Sequence, residues 1–277
     1  MVEYVVANAT VVPVRENPSE GAEQLTQLLL GEVCEVLDCL PRWTKIRSTL
    51  DGQEGWVDFK MLTTTNIQYP ISNIQAIVAV PMAIATDMET GEELMLTLGT
   101  RLPNYAHGTF EVLGKQYLIA PACVNTTLST ASIASDLPST GASADLQRSD
   151  LITIAQSLLN APYLWGGKNL MGIDCSGFTQ VVYATMGVNL LRNAREQVTQ
   201  GELVSSLAEA QPGDLAFFDH ADRDPKATNI SHVGLLLSPT KIIHCSGCVH
   251  VDAIDQEGIR LANGELTHHL VKIKRYL

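Results

Sequence analysis

GIDCSGFTQ, residues 172–180, sets one cysteine between an aspartate and a serine, directly ahead of residues that can coil into a helix. Asp174 is suited to cap that helix, Phe178, Val181 and Val182 fall on one face, and Gly187 stands where a left-handed stop is wanted. Cys175 then lies in the first turn, where unpaired backbone N–H groups and the positive end of the helix dipole favour an anion. A thiol so placed is expected to ionise well below the free value, from ~8.5 toward roughly 3.5–7.5, and the thiolate is the nucleophile. The same N–H groups can receive an oxyanion.

Working outward, a base is needed, and ISHVGLLLSPTKIIHCSG (230–247) supplies candidates. Two apolar strands flank Ser238-Pro239-Thr240. A loop of odd length makes the pairing sum even, so His232 and His244 share a face as direct or diagonal cross-strand neighbours. His232 is assigned as the base and His244 as the group that orients it, in the order nucleophile, base, orienter. The bland alternatives are a packing cysteine and two structural histidines; the convergence of three such residues favours a site. A zinc reading of His232, His244, Cys245 and Cys248 is disfavoured, because adjacent residues 244 and 245 point to opposite faces of a strand and no second C-x-x-C pair exists. No metal and no cofactor are expected. The Cys245/Cys248 pair lacks the βαβ setting of a redox motif.

Upstream, Leu151, Ile154, Ala155, Leu158 and Leu159 recur at helical spacing behind Ser149 or Asp150, and Asn160-Ala161-Pro162 ends the run. Helices followed by the strands DLAFF, HVGLLL and KIIHC describe an α+β unit over residues 148–277. Residues 126–147, rich in Ser, Thr and Ala, are expected to be a linker. Before it, short β-branched runs alternate with turn signals such as ENPSEG and LDGQEG, the spacing of a small all-β barrel over residues 1–62. The pattern returns over 63–125, where FEVLGKQYLI folds about Leu113-Gly114.

Composition narrows the function. Apolar residues make up 45% of the 277 and charged residues 17%, enough for buried cores in more than one unit. A net charge of −12 repels phosphate backbones and anionic membrane surfaces, so nucleic acid is not expected as a partner. No apolar run is long enough to span a bilayer. Six cysteines are too few for a disulfide scaffold in a chain this long. With no basic region and apolar core at the amino terminus, the expectation is a cytoplasmic, monomeric protein, or a periplasmic or envelope one if a leader has been removed.

PYLWGG (162–167), GIDCSGFTQ, LLRNAREQ (190–197), QPGDLAFF (211–218), ISHVGLLL and IIHCSG, in this order and spacing, resemble the NlpC family of papain-like cysteine peptidases that cut bacterial cell-wall peptides. The resemblance covers residues 148–277. It implies a papain-like α+β domain, here preceded by two barrels that resemble bacterial SH3 domains, the second less clearly. It also implies a Cys, His and third polar residue on Cys175, His232 and His244, with Tyr163 beside the nucleophile as an aid to oxyanion or substrate. Relatives of this architecture hydrolyse the bond between γ-D-glutamate and a diamino acid in peptidoglycan-derived peptides with a free L-Ala amine. A free ammonium needs a carboxylate, and Asp174 is expected to supply it with Ser176 as a further acceptor. The resemblance further suggests an acid from the first barrel, carried over to Glu32; where a barrel tyrosine is expected, this chain has Gln53. The alternatives are a non-catalytic peptidoglycan-binding protein, or an amidase or acyltransferase on the same fold.

Overall fold

A computed structural model of the chain describes residues 3–65, 74–126, 141–220 and 229–277. Strands Tyr4–Ala7, Val11–Arg15, Gln24–Leu29, Val33–Cys39, Trp43–Ser48, Glu54–Asp58 and Leu62–Thr65 form one antiparallel seven-stranded sheet. Alternate residues turn inward along these strands, so Val5, Ala7, Val12, Val14, Ile46 and Val57 meet in one apolar core. A second unit follows, built from a four-stranded and a three-stranded sheet between Ile74 and Asn125. Its hairpin turns at Leu113-Gly114, both at positive φ, as a two-residue turn that matches strand twist requires. The two units are not independent: Leu30 of the first packs into the core of the second.

Helix α1 spans Gly141–Ser157. It therefore begins about two turns before the cap expected at Ser149 or Asp150, and residues 141–147, expected as linker, are helical; residues 127–140 lie outside the described residues. The composition that reads as connector carries no apolar stripe to signal a helix there. Leu151, Ala155 and Leu158 are buried as the spacing requires, whereas Leu159 faces outward.

Helix α2 is Cys175–Ala184 and α3 is Ala194–Gln197. Residues Cys175 to Tyr183 of α2 are all buried, on both faces. Phe178 and Val182 enter the carboxy-terminal core, and the polar Ser176, Thr179 and Gln180 are enclosed by neighbouring loops and the first barrel. The carboxy-terminal sheet runs Glu202–Val204, Leu266–Arg275, Leu215–His220, His232–Ser238, Lys241–Ser246, Cys248–Ile254, Gly258–Arg260, and the last strand pairs back onto Leu266–Arg275 to close it. A helix laid on an antiparallel barrel is the α+β arrangement expected.

Polar contacts fasten the first barrel to this domain. Gln24 Nε2 donates to Trp165 O (3.0 Å), Gln27 Oε1 accepts from Lys168 N and Asn169 Nδ2 (both 2.9 Å), and Gln180 Nε2 donates to Asp51 Oδ2 (2.9 Å). Gly166 makes the approach possible. Its φ is +74°, and a Cβ there would lie 2.6 Å from Gln24 O.

Candidate active site

Asp174 caps α2 as its sequence suggests, accepting from Gly177 N at 2.6 Å. Cys175 opens the helix and is 9% exposed. The backbone N–H groups of Val233 and Ser176 reach its sulfur. Val233 follows His232, so the strand that carries the histidine abuts the thiol.

His244 lies opposite Gly234, one pair along from His232, which makes the two histidines diagonal neighbours. Gly234 is what lets them meet: a Cβ at 234 would stand 2.8 Å from His244 Cβ. His232 Nε2 and His244 Nδ1 are 2.9 Å apart with the rings edge to face. This bond leaves His232 Nδ1 free of the pair. His244 Nε2 in turn meets Asp252 Oδ2 at 3.2 Å, and His250 Nε2 meets the same oxygen at 3.1 Å. His268 stacks near His232 with centroids 4.5 Å apart, and His220 lies 5.4 Å from His268. Five of the chain's seven histidines thus share one surface. Sequence reading missed Asp252, His250 and His268. A signal existed for the first two, since His250 and Asp252 alternate along one strand and His250 pairs directly with His244.

The electrostatics differ from the expected ionised thiol. Burial, and then the Asp174 carboxylate, push the Cys175 thiol up to about 12, against the pull of the Val233 and Ser176 amides. Burial, followed by the charges of His244 and His268, holds His232 well below the usual imidazole value of 6.5. Thiol and imidazole are therefore both neutral at pH 7. The helix terminus acts as foreseen, but desolvation of a nearly enclosed sulfur outweighs it. Tyr163 lies close by: burial and the Cys175 charge raise its hydroxyl's pKa, and its backbone is tied to Gly247 O and Ile173.

Asp174 and Ser176, the residues expected to receive an ammonium, lie buried beside Arg192. Asp174 Oδ1 accepts from Gly177 N, Arg192 Nη1 and Ser176 Oγ, and Oδ2 accepts from Gly166 N (2.9 Å) and Arg192 Nη2 (2.7 Å). Ser176 Oγ also receives Arg192 Nη1 at 2.9 Å. Arg192, which is 1% exposed, neutralises the carboxylate and reaches on to Thr26 Oγ1 of the first barrel (2.6 Å). The pair is a clamp on the start of α2. Glu32 Oε1 accepts from Lys168 Nζ at 3.2 Å, and Glu32 lines a cavity with Asp51, Arg101 and Gln180, residue 180 being more than a helical turn along α2 from Cys175. Beside the clamp the first barrel contributes Gln24, Thr26 and Gln27 from one strand. Cys245 donates to Ile173 O and belongs to the core, on the face opposite His244.

Residues 160–267 match the NlpC/P60 family, and residues 10–62 match the bacterial SH3 domain. The chain is 30% identical over 232 residues to a γ-D-glutamyl-L-lysine dipeptidyl-peptidase of Bacillus cereus (strain ATCC 10987 / NRS 248), an alignment that covers 79% of this chain and 66% of that one. A protein of the same name from Bacillus subtilis (strain 168) is 29% identical over 232 residues, covering 79% and 71%. In the fold, a crystal structure of an NlpC/P60 family protein from Bacillus cereus ATCC 10987 superposes with a TM-score of 0.79 at 21% identity, over 99% of both chains. With the matched blocks, the capped cysteine helix and the closed barrel all in one place, the chain belongs to the NlpC/P60 family and carries a bacterial SH3 domain ahead of its NlpC/P60 domain.

Proposed function

We propose that the protein is a cysteine peptidase that hydrolyses the bond between γ-D-glutamate and an L-diamino acid in peptidoglycan-derived peptides. The observation that carries this reading is the set Cys175, His232, His244, Asp252, in which a thiol at a helix start abuts the strand carrying His232, whose Nε2 is held at 2.9 Å by a second histidine. The names of the two Bacillus relatives supply the substrate class, and their dipeptidyl character implies an unblocked amine two residues before the bond.

The proton positions follow from the role. For His232 to accept the thiol proton at Nδ1, its own proton sits on Nε2 and is donated to His244 Nδ1. His244 then carries its proton on Nε2 and donates to Asp252 Oδ2. Cys175 Sγ attacks the γ-carbonyl carbon as its proton passes to His232. The backbone N–H of Cys175 at the start of α2, with the Tyr163 hydroxyl, takes the negative oxygen. The C–N bond breaks as the leaving amine takes the proton from His232, giving a thioester. Water attacks the thioester, returning one proton through His232 to the thiol. Incubation with L-Ala-γ-D-Glu-L-Lys tests the bond: the expected products are the dipeptide and free lysine by mass, and retention on sacculi with no product would favour a binding module instead.

The pH behaviour has a defined sign. The base must be neutral, and burial keeps His232 neutral to well below pH 6.5, so kcat/KM should not fall with a midpoint near 6.5. Stability behaves otherwise. In the unfolded chain these histidines bind protons near pH 6.5, while the folded protein resists them at His232, His244 and His268, the last held down to about 4. Folding stability is therefore full above pH 6.5 and is lost as pH falls below it. Thermal melting between pH 8 and 5 checks this; a Tm that stays level would contradict it.

A further inference from the structure

His250 Nδ1 lies 2.8 Å from Cys248 O. A carbonyl only accepts, so a ring proton sits on Nδ1 and Nε2 is the nitrogen available to a metal ion. That nitrogen faces a carboxylate oxygen, Asp252 Oδ2, which also faces His244 Nε2. Three ligand atoms thus converge within 4.8 Å of one another. The spacings of 3.1 and 3.2 Å are close to the edge of a tetrahedron with metal–ligand bonds of about 2.0–2.1 Å, which is roughly 3.3 Å. Both rings already have the outer support that ligand histidines usually show, His250 through the Cys248 carbonyl and His244 through His232. His250 and Asp252 are partly exposed, which gives an ion a way in and leaves a corner for water, while His244 is buried.

We propose that His244, His250 and Asp252 form an inhibitory site for a borderline divalent cation such as Zn²⁺. These are not the ligands that sequence alone suggested: Cys245 and Cys248 take no part. The inhibitory half rests on the peptidase reading above. A metal on His244 Nε2 displaces the proton there and requires one on Nδ1, which then donates to His232 Nε2. His232 is left with its proton on Nδ1, the nitrogen that has to receive the Cys175 proton. One proton leaves His244 Nε2 and one arrives at His232 Nδ1, so the ring proton count is unchanged and the base is lost without displacing a side chain. Metal binding at the outer histidine thus closes the catalytic one by reversing the tautomers of both rings.

The test begins with the full chain carrying Cys175→Ala, so that the thiol cannot bind the ion. Calorimetric titration with zinc chloride should find one site, and adding His250→Gln should weaken it by about 10–100-fold. In the chain with Cys175 intact, His250→Gln should hydrolyse the tripeptide within about twofold of the parent without metal, and zinc inhibition should shift by the same factor as binding. No binding to the Cys175→Ala chain, or equal affinity with and without His250, overturns the site. Binding that depends on His250 but leaves hydrolysis untouched overturns the relay. Binding that depends on His250 in a protein that never cleaves peptide sustains the site and counts against the peptidase reading alone.

Discussion

Replacing Cys175 with alanine should lower kcat on L-Ala-γ-D-Glu-L-Lys by about 10⁴-fold or more, to the level that positioning and oxyanion contacts alone sustain. The size follows from the role: with no sulfur there is no thioester, and His232 has no proton to take from residue 175. The fold should survive. Cys175 is small, an alanine keeps the helix position, and the cap on Asp174 and the Arg192 clamp do not involve sulfur. Melting within a few degrees of the parent, together with loss of turnover, is the expected pair of results. His232→Ala should cost a similar factor, because members of such a unit are not additive. His244→Ala should cost less, since it removes an orienting partner and leaves the base. A Cys175→Ala protein that cleaves at the parent rate would remove the mechanism.

The second large effect falls on stability. Arg192→Met should destabilise the protein by about 3–5 kcal/mol, which for a chain of this size lowers Tm by roughly 10 °C. Methionine fills much of the arginine's volume, so the loss is not a cavity effect. The cause is what remains behind: a buried Asp174 carboxylate without its cation, and a Ser176 and a Thr26 hydroxyl each without a donor. Adding Asp174→Asn to Arg192→Met should recover part of the loss, because an uncharged cap can still accept from Gly177 N. Urea unfolding of the parent, the single and the double variant measures both steps. A single variant within about 1 kcal/mol of the parent would show that solvent or another cation replaces Arg192.

How much of this was readable in the chain depends on range. The cap at Asp174 and the helix behind it rest on local periodicity, and His232 meets His244 in the even register expected, although Ser238 pairs with Lys241 and a bulge between Leu236 and Ser238, not a three-residue loop, sets that register. Asp252 and His250 required knowing that a third strand lies beside the second. Arg192 was beyond reach because its value comes from three partners at once, at 26, 174 and 176. Thr26, Gln27 and Lys168 likewise look like ordinary surface residues until the first barrel is docked. Glu32, the acid carried over from the first barrel, meets Lys168 across the interface, a partner that neither stretch of sequence reveals. The ionised thiol was a failure of magnitude. A helix end favours the anion, but nine residues of α2 are enclosed on all sides, and the cost of an uncompensated charge there is larger.

The most direct trial of the central claim is to catch the covalent intermediate. The protein is mixed with excess tripeptide, quenched in acid within milliseconds to seconds, and its intact mass and peptide map are recorded. The account predicts a fraction of chains heavier by one L-alanyl-D-glutamyl group, held as a thioester on Cys175 and removed by hydroxylamine. Turnover of the same substrate with no adduct at any quench time, or with the adduct on another residue, would contradict it.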